Sequence, residues 1–118
     1  MPFIVRPPPR AGSKFARGST VSVPVELRDV AATLVDAATG SPPPPEAKVE
    51  GKSVLPLMSG NEQVASAARA SWRKWIDLEH SKVYNATIHW NALTDGESKY
   101  VYNAYDGSEH VRFPTQSR

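Results

Sequence analysis

The sequence predicts an α/β chain: one core strand and its packing helix, followed by part of a small antiparallel C-terminal sheet. Three observations carry that prediction. Pro2-Phe3-Ile4-Val5-Arg6 is an apolar run without polar alternation, the pattern of a strand buried on both faces. Leu27, Val30, Ala31, Leu34, Val35 and Ala38 fall at helical spacing and form a single apolar stripe. Toward the end, β-branched and aromatic runs are separated by Asp-Gly pairs, the mark of a meander. A chain of 118 residues bounds all of this to one modest hydrophobic core. Residues 1–60 are expected to close an α/β core with a strand, a loop, a helix and a second loop. Residues 61–118 are expected to form a C-terminal subdomain with an incomplete antiparallel meander.

Taken in order, the opening run ends at three prolines, and residues 7–20 read as a long surface loop rich in Pro, Gly, Ser and basic residues. Val21 to Val25 is short and interrupted by Pro24, so it is either an edge strand or the lead-in to the helix. The helix is expected over Val25–Thr39. Glu26 and Asp29 stand at its start, where negative charge suits the helix dipole, and Asp29 and Asp36 read as helix-surface charge. Gly40 suits a left-handed C-cap, and Ser41-Pro42-Pro43-Pro44-Pro45 forbids continuation. Gly51 to Gly60 reads as a short helical turn docking Val54, Leu55, Leu57 and Met58. Asn61 to Ala70 carries only a weak pattern. Arg73 to His80 alternates as a strand, with Trp75 on one face and Ile76 and Leu78 on the other. Thr87 to Leu93 and Lys99 to Ala104 are two more strands, joined across Asp95-Gly96. A further strand over Glu109 to Phe113 follows the turn at Asp106-Gly107.

Composition removes several classes of function. With no cysteine, disulfides, thiolate catalysis and cysteine metal sites are excluded. Fourteen basic and twelve acidic residues are dispersed along the chain, giving a net charge of +2 and no basic face for nucleic acid. Arg69-Ala70-Ser71-Trp72-Arg73-Lys74-Trp75 interleaves basic and aromatic residues, but Asp77 and Glu79 follow at once, and a solvated strand edge accounts for it. No apolar run reaches the length of a membrane span and no signal-peptide pattern opens the chain, so no membrane partner is expected and, as it stands, a cytoplasmic location is. Asn85-Ala86-Thr87 matches the glycosylation pattern and reads as chance without a leader.

Four strings in a fixed order carry a resemblance: "PFIVRPP", "VELRDVAATLVDAATG", "EGKSVLPLMSG" and "ALTDGESKYVYNAYDGSE". Together they resemble the later part of a type I sulfatase and are similar, more narrowly, to bacterial-type arylsulfatases of the alkaline phosphatase superfamily. The resemblance runs from Pro2 to about Glu109 and implies a partial sulfatase fold and sulfuric ester hydrolysis in the complete enzyme. It also implies that the complete enzyme uses Ca2+ and a formylglycine made from the Cys or Ser of a C/S-x-P-x-R motif. No such string occurs here; Ser22-Val23-Pro24-Val25-Glu26 comes nearest and ends in Glu. By the same resemblance the calcium ligands and the sulfate-binding Lys and His belong before Met1. The chain is therefore expected to be a fragment, inactive alone, with a sulfate ester substrate only in the complete enzyme and an association with the missing N-terminal part. After Glu109 the pattern is lost, since the family tends to read Q-L-F-D-L where this chain has His110-Val111-Arg112-Phe113.

The resemblance places no catalytic residue in the chain. It places His80, His89 and Trp90 in the wall of the substrate pocket, where the imidazoles face the organic portion or leaving group and Trp90 supplies an apolar surface. Surface or hydrogen-bonded strand histidines are the alternative. A Glu79–His80–His89 metal site has the right residue types but no supporting spacing. Trp72, Trp75 and Tyr84 offer an aromatic sugar platform or, more ordinarily, hydrophobic packing. Two alternatives to the sulfatase reading remain: a phosphate or phosphonate ester hydrolase fragment of the same superfamily, and a non-enzymatic binding module derived from it.

Overall fold

A computed structural model describes residues 3–81 and 89–113. The chain divides into two compact units, Met1–Ser22 with Glu26–Trp72, and Val23–Val25 with Arg73–Arg118. Helices α1 (Arg28–Thr39) and α2 (Glu62–Ala70) belong to the first unit. Strands β1 (Ile76–His80), β2 (Trp90–Thr94), β3 (Lys99–Asn103) and β4 (Glu109–Arg112) belong to the second.

The first unit is organised by two polar side chains of α1. Asp29 is fully buried, and its two carboxyl oxygens accept the backbone N–H groups of Glu26 and Lys52, each at 2.8 Å. Thr33 Oγ1 donates to the Asp29 carbonyl at 2.6 Å and accepts the Val54 N–H at 3.0 Å. Residues 52–54 are thereby stitched along the inner side of α1, beside the buried Ala32. Gly51 is the point of closest approach: its φ is +95°, and a Cβ built there would lie 2.4 Å from the Arg28 carbonyl oxygen. No L-residue satisfies both conditions.

Beyond the stitch, Val54 and Leu57 are buried, with a 3₁₀ turn at Pro56–Met58 that packs against α2. Helix α2 adds Ala65, and Trp72 follows it into the same core. Asn61 caps α2, its side-chain oxygen accepting the N–H groups of Gln63 at 2.9 Å and Val64 at 3.4 Å. An Asn cap followed by an Ala-rich stretch is a real start signal, weaker than a long apolar stripe. Gly40 ends α1 as anticipated, with φ of 79° and its N–H bonded to the Asp36 carbonyl at 2.8 Å.

The second unit is a sheet of order β1-β2-β3-β4, antiparallel throughout. The β2–β3 and β3–β4 turns use the residues the sequence singles out. Asp95 Oδ1 accepts the N–H groups of Glu97 at 2.8 Å and Ser98 at 2.6 Å, and Asp106 Oδ1 accepts the Ser108 N–H at 2.9 Å. Both carboxyls are held below the ordinary carboxylate pKa, Asp95 by the Ser98 amide first and Asp106 by the Ser108 side chain first and the Ser108 amide second. The strand over Glu109 to Phe113 forms as β4, although the resemblance is lost there.

Several expectations are corrected. The opening run does not form a strand: residues 3–8 have no regular secondary structure, and Ile4 is 87% exposed. A strand buried on both faces exists only with pairing neighbours, and no described segment pairs with it. Asp29 is not helix-surface charge but the most deeply buried polar group of its unit. The apolar stripe of α1 is not its buried face either. Leu27 and Leu34 are 73% and 65% exposed, Ala31 and Ala38 are exposed, and Val30 and Val35 are half-buried. The helix turns Asp29 and Ala32 inward instead, because two hydrogen-bonded side chains fix its rotation against residues 52–54.

Candidate functional site

Two of the three residues expected to line a pocket wall are brought together by the sheet register. His80 and Trp90 are directly opposite partners across β1 and β2, and their rings stack at 5.8 Å between centroids with planes 20° apart. Lys99, from β3, places its ammonium 4.9 Å from the centroid of the same indole. Strand alternation explains why. His80, Trp90 and Lys99 lie on one face, and the indole and ammonium meet across the Ala92–Val101 pair, where Ala92 is buried.

His89 stands apart from that cluster, one residue before β2, with its carbonyl accepting the Ala104 N–H at 2.8 Å. Glu79 is on the opposite face of β1 from His80, so those two side chains do not converge. Among the described residues no group of three or more His, Asp or Glu is placed to hold a metal ion. Lys99 is the member that residue reading missed. Its signal is present in the sequence: the Asp95-Gly96 turn pairs Thr94 with Lys99, which puts Lys99 on the face of Trp90.

The first unit holds a cleft of about 590 Å3 between the end of α1, the proline run, residues 51–53 and α2. Trp72, Val64 and Pro56 are among its apolar lining residues. Lys52 reaches over the Trp72 indole at 5.8 Å and donates to the Ser71 carbonyl at 3.4 Å. Trp72 is thus a core residue under a lysine stem, while Trp75 is 53% exposed in the other unit. Tyr84 and the Asn85-Ala86-Thr87 pattern lie outside the described residues.

Arg69 pairs with Glu62 along α2, so part of the basic-aromatic stretch is internally neutralised. Among the described residues no helix is long and apolar enough to cross a membrane. No protein-family model matches the chain, and no curated protein matches it.

Proposed function

We propose that this chain is a non-catalytic, C-terminal portion of a sulfatase-like sulfuric ester hydrolase, in which α1 buttresses a larger sheet and the His80–Trp90–Lys99 cluster walls the substrate pocket. The observation that carries the reading is the two-sided character of α1. Its inner side is committed to residues 52–54 through Asp29 and Thr33, while a stripe with Leu27 and Leu34 remains in solvent. A helix with one face stitched and an apolar stripe left over is built to pack on something more than this unit supplies. Two of the resembling strings also turn out to be physically coupled. The Asp29 and Thr33 of "RDVAAT" hold the backbone of "GKSV", so their joint occurrence in order has a structural cause.

The His80–Trp90–Lys99 cluster supports a wall rather than a reaction centre. It offers positive charge and a flat apolar surface, but neither an activated nucleophile nor a clustered oxygen site for a divalent cation. Sulfuryl transfer needs both a nucleophile and strong electrostatic stabilisation of the departing charge.

Two measurements test the reading. The purified chain, supplied with Ca2+, should turn over neither 4-nitrophenyl sulfate nor 4-nitrophenyl phosphate; turnover of either overturns the proposal. The coding DNA upstream of the Met1 codon should carry a C/S-x-P-x-R string in frame or one slip away. A Ser or Thr nucleophile motif of the phosphatase type there would shift the substrate to a phosphate or phosphonate ester. Neither motif would leave the non-enzymatic module as the reading that stands.

A further inference from the structure

The register of the sheet sorts charge by face. Asp77, Leu93, Tyr100 and Val111 lie in one row across the four strands, and Glu79, Asn91, Tyr102 and Glu109 in the next. Every carboxylate of the four strands is therefore on this face. Every basic side chain of the same strands, His80, Lys99, His110 and Arg112, is on the other. The basic face is the one that contains the buried Ala92. The acidic face is open: Leu93 is 44%, Tyr102 40% and Val111 57% exposed.

The layout across this face has a dimension. Asp77 and Glu79 stand on edge strand β1 and Glu109 on edge strand β4, with the aromatic and aliphatic side chains between them. Three strand spacings separate the edges by about 14 Å. That matches an α-helix with its side chains, about 10–12 Å across. The Tyr100 hydroxyl is held above its ordinary pKa, by desolvation first and then by the Glu109 carboxylate beside it, which marks this side of the face as negative.

We propose that the acidic face of β1–β4 is a docking surface for a basic amphipathic helix of a partner protein. Its apolar stripe would lie over Leu93, Tyr100 and Val111, and flanking lysines or arginines would reach the carboxylates at both edges. Long basic side chains bury their stems on apolar surface while presenting charge at the rim, which is the complement this face offers. The proposal rests on the sheet register and on the exposure of this face, and does not depend on the hydrolase reading.

The test is binding of a labelled synthetic helix of Leu and Lys, about 18 residues long, to the intact chain, followed by fluorescence anisotropy and amide shift mapping. Binding should weaken about tenfold or more in D77K/E79K/E109K and in high salt, and be lost in L93S/V111S. The shifts should map to the strands carrying Leu93, Tyr100, Tyr102 and Val111. All of these substitutions are at exposed positions, and the shift map on the unaltered chain stands whether or not a variant folds. Equal binding of a peptide with Glu in place of Lys, or unchanged binding to the charge-reversed variant, would overturn the proposal. So would a concentration-dependent dimer that disappears in L93S/V111S, since the face would then belong to a second copy of this chain.

Discussion

The two units hold themselves together by different physics. The sheet is a continuous ladder in which each backbone bond is one of many, and no single side chain decides its register. The first unit depends on a few side-chain-to-backbone bonds at one place, where Asp29 and Thr33 grip residues 52–54 beside Gly51. A ladder loses stability in small steps, whereas a buried polar staple fails all at once, because removing one partner leaves the others unsatisfied away from water.

Asp29→Ala should therefore have the largest effect. It strands the Glu26 and Lys52 amides at about 1–3 kcal/mol each. Hydrogen exchange should show lost protection across residues 26–58 with β1–β3 still protected. Equal loss in the sheet would break the comparison. Gly51→Ala comes next, costing about 2 kcal/mol or more from left-handed strain and the clash with the Arg28 carbonyl. A denaturant midpoint unchanged from the parent chain would mean residues 51–54 do not lie against α1.

The sheet should respond more gently, and to acid. Folded-state pKa values of Asp95 and Asp106 lie below the ordinary carboxylate value, so their stabilisation is complete above that value and fades as pH falls through the folded-state pKa. Protection at Glu97, Ser98 and Ser108 should decline with acidification, and Asp95→Ala should remove the pH dependence at the first two. A stabilisation that instead grew on acidification would contradict the turn geometry. The smallest effect belongs to Leu34→Lys, within about 0.5 kcal/mol, since Leu34 is 65% exposed. A large loss there would show that the α1 stripe is covered in solution.

The meander was legible for a local reason. The Asp-Gly pairs fix the β2–β3 and β3–β4 turns and alternation fixes the faces, so Lys99 falls on the face of Trp90 without long-range information, whereas the pairing of His80 with Trp90 is set by no such turn. The rotation of α1 was not legible. Its apolar stripe is the strongest periodic signal in the chain, yet the inward face is set by Asp29, which reads as surface charge until Lys52, far along the chain, supplies a backbone donor. The opening run misled in the same way, since apolar composition describes what a segment needs and not whether anything pairs with it.

What the sequence determined by itself is thus the local grammar: the helix end at Gly40, the turns at Asp95 and Asp106, and the alternation of the strands. The tertiary structure alone decided which side of α1 is inside, and that Asp29 is a staple rather than a surface charge. It also set His80 opposite Trp90 and gathered the carboxylates of β1 and β4 on the opposite face. The physical reason is reach. Turn and strand preferences act within a few residues, whereas a buried hydrogen bond or a shared sheet face depends on a partner that the chain brings close only by folding.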